Sequence, residues 1–565
     1  MIRFLIFINL ILVSNFSIGQ NPYFDWVKSI DGISGYDSGK KILADGLGNI
    51  YVVGGFVGTA DFDPGPNTFI LNSNGNQDVF VVKLDISGNF LWAISFGGAN
   101  DDYVSAIKLD SKNNIYISGQ FYASVDFNPG NSIYNLTATG TTAGDIYLLK
   151  LDSTGAFIFA KNFGDIYTDS GNDLEIDEFG NTYLIGYFSG TVDFNSGVPT
   201  YTVNSTNING DIFILKLDSS GSFIWVKSIG GIGHDHANSI ALDFSGNIYI
   251  SGFYNNVVDF DPGSNIFNLT ASGNGDVFVL KIDSSGNFIW AKGIGGSNYD
   301  DSFSLKTDKF GDIIYSGIYG LTVDFDPGNG VFNMTAAGSN DIFISKLTST
   351  GNFVWAKSIG GTNSDFIMSI EIDSTNNIFA GGYFRGTCDF DPSLNFYTLT
   401  SLGGYDIFFS KYDSIGNFIW ARSFGGTVDD FIGSVFLDKN ANFLITGAYN
   451  GTVDFDFNSG VYYLTSTNSS DIFVLKMSSN FITQFSENIN TNNIQFYPNP
   501  NNGVFTVDIK SKSQIIITNV LGQDVYKKIV DFGKQNLQIS DLENGIYNFT
   551  IISDLKKQTF KFIKQ

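Results

Sequence analysis

Seven times the chain repeats a short acidic phrase whose fullest form is Val-Asp-Phe-Asp-Pro-Gly. The paired positions are Asp61/Asp63, Asp126/Asn128, Asp193/Asn195, Asp259/Asp261, Asp324/Asp326, Asp389/Asp391 and Asp454/Asp456. In extended backbone, residues i and i+2 point the same way, about 6.5–7 Å apart. Two oxygen-bearing side chains then face one side ahead of a turn. A calcium ion takes about six to eight such oxygens. Asp61, Asp63, Asp259, Asp261, Asp324, Asp326, Asp389 and Asp391 are the candidate calcium ligands, with carbonyls or a second loop completing the shell. The competing reading makes each Asp the cap of a turn, and seven equal copies favour architecture.

Other chemistry is sparse. The only histidines, His234 and His236, flank Asp235 in one loop. A His-x-His pair can hold a transition metal, but variation in a single loop explains it as well. No Gly-x-Ser-x-Gly elbow, His-Glu-x-x-His or phosphate-binding loop occurs. A glycosidase needs only two carboxylates, so a carbohydrate-active enzyme stays open as the alternative to a binding role. No acid stands out from its repeat equivalents. The net charge is −25. Residues 494–565 hold nine Lys against six Asp and Glu, a balance of +3, so the rest carries −28. Such a surface repels phosphate backbones and anionic lipid headgroups, which argues against nucleic acid as a ligand. The single Cys388 permits no intrachain disulfide and no thiolate metal site.

The elements that must position these residues follow from three recurring phrases. Asp, alternating apolar residues and Lys begin at Asp78, Asp145, Asp211, Asp276, Asp341, Asp406 and Asp471, with Lys five places on. A Trp phrase centres on Trp26, Trp92, Phe159, Trp225, Trp290, Trp355 and Trp420. A third ends in Gly54, Gly119, Gly186, Gly252, Gly317, Gly381 and Gly447. Each unit of 65 to 67 residues therefore holds four strands, as at Ser239–Asp243, Ile248–Gly252, Asp276–Lys281 and Asn287–Trp290. Turns of the form Asp-x-x-Gly-Asn join first to second and third to fourth. Asp nucleates such a turn and Gly accepts its positive φ. Four antiparallel strands repeated seven times predict a seven-bladed β-propeller. The last unit lacks a Trp strand, and a spare one lies at Phe24–Ile30. The N-terminal strand is expected to complete the last blade and remove two sheet edges.

These runs resemble the SBBP-type propeller repeat and, more loosely, the NHL repeat. The carriers are Leu-Asp-x-x-Gly-Asn-Ile-Tyr-Ile-Ser-Gly and Asp-x-Phe-x-x-Lys-Leu-Asp-x-x-Gly-Asn-Phe, over roughly residues 22–478. A long insertion between second and third strands departs from the pattern, so no partner-binding residues carry over. Because strands alternate, the acidic insertions and the Gly-Gly-x-x-x-Asp loops share one face. That face is the expected site of ligand contact. The third-strand Asp and Lys have opposite parity and cannot pair within the strand. A cross-strand ion pair or a solvated edge is expected for the Lys.

The ends read as addresses. Residues 1–19 combine Arg3, an apolar stretch from Phe4 to Val13, and small Ser17 and Gly19 before a cut, the pattern of a signal peptide. No later segment has 18 uninterrupted apolar residues, so no transmembrane helix is expected in the mature chain. After a propeller at 20–478 and a polar linker at 479–493, residues 494–565 read as short strands and turns of a small β-sandwich. This stretch resembles the type A sorting domain of type IX secretion in Bacteroidetes. The resemblance rests on Tyr497-Pro498-Asn499-Pro500, Gly503, Leu521-Gly522-Gln523, Leu542, Gly545-Ile546-Tyr547 and the Lys-rich final strand. It implies export across the outer membrane, partnership with the type IX machinery and a sortase, and a secreted or surface location. The expected function is a binding or structural module for an extracellular glycan or protein.

Overall fold

The computed structural model describes residues 22–32, 35–458, 460–478, 496–497 and most of 504–564. The leader at 1–19, the linker at 479–493 and the Pro498-Asn499-Pro500 motif lie outside these. Every regular element among the described residues is a strand. No helix is long and apolar enough to cross a membrane. The chain divides into two compact units, Met1–Asn480 and Phe481–Gln565.

Within the first unit, each sequence repeat forms a meander of four antiparallel strands. The fourth repeat shows the plan: His236–Leu242, Ile248–Tyr254, Asp276–Ile282 and Phe288–Ile294 pair in that order. Its turns are built as the sequence requires. Gly286 N–H donates to Asp283 O, Asn287 N–H to Asp283 Oδ1, and Gly286 takes a φ of 80°. The last repeat contributes Phe431–Leu437, Phe443–Asp454 and Tyr463–Ser478. Its fourth strand is the N-terminal Tyr23–Gly32, with Trp26 opposite Lys476 and Ile30 opposite Ile472.

Middle strands are apolar on both sides because neighbouring sheets stack on both of their faces. Asp276–Ile282 is buried at every residue. The cores accordingly form between repeats. One joins Tyr183, Ile185 and Ile214 of the third repeat to Ile240, Ile250 and Phe278 of the fourth. Another joins Leu444, Ile472 and Val474 of the last repeat to Ile42, Val52 and Phe80 of the first. The first strands also bond directly to their neighbours. Ser239 Oγ accepts from Leu305 N at 3.0 Å, Ser304 Oγ from Ile370 N at 3.1 Å, and Ser434 Oγ from Ile42 N at 3.0 Å. The last of these again ties the final repeat to the first.

The C-terminal unit has a three-stranded sheet, Phe496–Tyr497, Val504–Ile509 and Gly533–Gln538, and a four-stranded one. Ile515, Ile517, Phe549 and Ile551 of the larger sheet cluster with Leu537 of the smaller and Ile539 beyond it.

Candidate binding face and axial cavity

The acidic insertion folds as a hairpin, as in Val257–Asp259 with Asn268–Thr270. Its Phe is the reason for its shape. Phe62, Phe127, Phe194, Phe260, Phe325, Phe390 and Phe455 are all buried, each at the edge of an inter-repeat core. Phe260 meets the Tyr254 ring edge-on at 5.4 Å and tilts against Phe278 at 5.1 Å. Burying such a ring contributes about 2–3 kcal/mol. With Phe turned inward, the flanking Asp pair faces the hairpin's own backbone. Asp259 Oδ1 accepts from Asp261 N at 3.1 Å and Phe267 N at 2.8 Å, while Asp261 Oδ1 accepts from Gly263 N at 2.8 Å. Asp61 and Asp63, Asp324 and Asp326, and Asp389 and Asp391 make the same bonds, with Ser393 N replacing Gly N in the last case. One oxygen of each candidate calcium ligand is therefore engaged by backbone amides. Among the described residues no group of three or more His, Cys, Asp or Glu side chains is placed to hold a metal ion.

A second carboxylate set anchors the neighbouring loops. Asp300, just before a first strand, accepts from Gly296 N at 2.7 Å and Gly320 N at 3.0 Å. It thereby ties the Gly-Gly loop to the end of the second strand. Asp102, Asp169, Asp235, Asp365 and Asp430 clasp in the same way. Asp276, at the start of the third strand, accepts from Ser272 N at 2.8 Å. Its carboxylate lies over Gly295, where any Cβ would come within 2.2 Å of Cγ. That glycine is fixed by close approach rather than by its φ. Burial pushes these acids up, to about 7 for Asp300 and about 6 for Asp78, and the paired Asp276 raises Asp300 further.

The third-strand Lys forms the expected cross-strand ion pair with the Asp of its repeat's first turn, at 2.9 Å for Lys346 and Asp308 and at 3.8–3.9 Å for Lys150, Lys281 and Lys411, and it also reaches into the next repeat. Lys281 is buried, with Nζ 4.7 Å from the Tyr249 ring centre. It donates to Ser349 O at 3.1 Å, in the turn of the next repeat, and lies 3.9 Å from Asp243. Lys83 and Lys150 repeat the bond to Ser153 O and Ser219 O. Lys476 of the last repeat reaches Ile86 O of the first at 3.1 Å.

Against this uniform frame, the positions flanking the loops at the starts of the first and third strands differ from repeat to repeat. Position one of the first strand carries Ser38, Tyr103, Ser170, His236, Asp301, Phe366 and Phe431. The place before the third-strand Asp carries Gln77, Gly144, Gly210, Gly275, Asn340, Tyr405 and Ser470. Rings, all partly exposed except the buried Phe253, gather here in two groups. In the first, Tyr187, His234, His236, Phe253 and Tyr299 follow one another at 4.9–5.1 Å between ring centres. His236 Nε2 lies 3.2 Å from Asp301 Oδ2, which also accepts from Tyr299 OH at 2.8 Å. Asp235 is occupied by its loop clasp, so the histidine pair does not converge with it. In the second group, Tyr383 packs on Phe366 and Phe431 at 5.0 Å and on Tyr405 at 5.3 Å, with the Arg385 guanidinium 5.9 Å from the Tyr405 ring centre. Apart from His234 and His236, the sequence did not single out these residues, because they follow no period. Their signal was the breakdown of a pattern kept everywhere else.

Comparison with known proteins agrees with the two-part chain. Residues 495–565 match the family described as "Secretion system C-terminal sorting domain". The chain is thus exported by type IX secretion to the cell surface or the medium. It is 24% identical over 520 residues to the uncharacterized WD repeat-containing protein L264 of Acanthamoeba polyphaga mimivirus, covering 75% of this chain and 36% of that protein. It is 23% identical over 184 residues to the regulatory protein FlaEY of Caulobacter vibrioides, covering 31% and 18%. The chain therefore spans about a third or less of the length of these relatives. Among solved structures it is similar to Sqt1 from Chaetomium thermophilum (TM-score 0.39, 13% identity, 81% of this chain and 99% of that one). It is also similar to PorZ, a surface component of the type IX secretion system of Porphyromonas gingivalis (TM-score 0.21, 12% identity, 94% and 87%). The described chain is an all-β repeat protein with WD-repeat relatives.

Proposed function

We propose that the seven repeats, of SBBP type, close into a seven-bladed propeller that works outside the cell as a binding module. A signal peptide at 1–19 starts its export, and a sortase acts on its C-terminal domain. Closure is supported by four links between last and first repeats: the Tyr23–Gly32 strand, the shared core, Ser434 to Ile42, and Lys476 to Ile86. The binding surface is the mouth on the insertion side, and its ligand is an extracellular glycan or protein segment. The observation that carries this reading is divergence confined to the mouth. Positions that build the repeat keep their residue type, whereas Phe366, Tyr383 and Tyr405 replace Ser, Gly or Gln found at equivalent places. Aromatic rings with one polar edge are suited to such contacts. The strongly shifted carboxylates come in equivalent copies, which favours binding over catalysis.

The test uses the full chain against an array of neutral oligosaccharides and Lys-rich peptides, with a Phe366→Ala/Tyr383→Ala/Tyr405→Ala variant beside it. The reading expects at least one probe to bind the native chain and to lose tenfold or more in affinity with the variant, whose unfolding transition persists. Binding that survives the triple change would move the site elsewhere.

A further inference from the structure

The first strands surround an axial cavity of about 170 Å³. At its wall, four places after each clasping Asp, Ser239, Ser304, Ser369 and Ser434 recur. Each bonds to the neighbouring first strand. The remaining three repeats place Lys41, Ala106 and Asp173 there. Two residues further on, Leu43, Ala241 and Phe436 alternate with Lys108, Glu175, Lys306 and Glu371. A stacked ring of sheets needs none of these charges on its axis.

Most of them compensate one another. Lys108 pairs with Glu175, and Lys306 Nζ lies 2.8 Å from Glu371 Oε1. Asp173 accepts from Leu174 N at 2.9 Å and Ile240 N at 3.1 Å. Among the described residues no ion pair or hydrogen bond reaches the Lys41 ammonium. Burial pulls its pKa below the ordinary Lys value, with Asp173 opposing. Lys40 beside it is lowered by burial as well. Lys41, Lys108 and Lys306 stand against Asp173, Glu175 and Glu371 around the axis, and of these three cations Lys108 and Lys306 have their acids while Lys41 has no ion pair among the described residues. An unpaired charge in such a place is costly unless a counter-charge joins it.

We propose that Lys41 anchors a small anion, a carboxylate or inorganic oxyanion, in the axial cavity. Ser434 Oγ already accepts from Ile42 N and keeps its hydroxyl proton to donate to that anion. The volume admits acetate or phosphate and excludes a nucleotide or a sugar chain. This site is independent of the mouth, and either can fail without the other.

The test titrates sodium acetate and sodium phosphate separately into the full chain at pH 7 and constant ionic strength, following thermal unfolding. Lys41→Ser gives the first repeat the residue that four others carry, so its fold is expected to persist. Lys28→Ser controls for a partly exposed Lys outside the cavity. The proposal expects at least one anion to raise Tm saturably by about 2 °C or more in the native chain and in Lys28→Ser. It expects no saturable rise in Lys41→Ser. A rise that Lys41→Ser retains, or no saturable rise with either anion in the native chain, would overturn it.

Discussion

At the scale of single residues, the unusual feature is a buried aspartate repeated at equivalent places. Asp37, Asp102, Asp300, Asp365 and Asp430 are pushed up to about 7, Asp169 to about 8 and Asp235 to about 6, chiefly by burial. Backbone N–H donors pull the other way and do not win. An unfolded Asp titrates near 4, so in this window the folded chain holds protons that the unfolded chain has released. The stability these groups contribute is whole below about pH 4 and drains away as pH rises through 6 to 8. Tm at constant ionic strength is therefore expected to fall between pH 5 and pH 8, and a flat or rising profile would contradict the burial argument. The sequence showed these Asp residues and their period. It could not show burial, because the desolvating partners are the Gly-Gly loop and a second strand about 20 residues away.

At the scale of elements, the insertion hairpin shows how far spacing can be read. The spacing of Asp324 and Asp326 leads one to expect two carboxylates on one side of a strand, whereas the strand ends at Asp324 and Asp326 N donates back to Asp324 Oδ1. What it could not reveal was Phe325, whose burial at the edge of an inter-repeat core aims those carboxylates at their own backbone. Asp324 Oδ1 joins the two arms of the hairpin through Asp326 N and Phe332 N. Asp324→Ala removes the one oxygen that accepts both bonds and is expected to cost about 1–3 kcal/mol in urea unfolding. Asp324→Asn keeps an oxygen, as Asn128 and Asn195 do at the neighbouring place, and is expected to cost less than ~1 kcal/mol. Equal losses in the two variants would show that the carboxylate charge, not its role as acceptor, matters. The four-strand plan was legible throughout, since turn chemistry and alternation are local. The Lys bonds between repeats were not, because Ser349 O belongs to the turn of the next repeat.

At the scale of the whole molecule, seven repeats would serve equally well as an open array or a ring, and only the ends distinguish them. A ring brings the divergent residues of distant repeats to one mouth and gives the axial cavity its wall. An open array would leave Tyr463–Ser478 as an exposed edge. The spare Trp strand at the N-terminus was readable because a phrase missing at one end stood at the other. The measurement that tests closure most directly is a disulfide trap on Tyr23→Cys and Ser478→Cys, residues that pair across the two terminal strands. Cys388→Val removes the native thiol, giving its repeat the residue that Val258 and Val323 supply elsewhere. Closure predicts an intrachain disulfide linking positions 23 and 478 under mild oxidation, identified by mass spectrometry of the digested monomer. Free thiols, or disulfides only between chains, would contradict it.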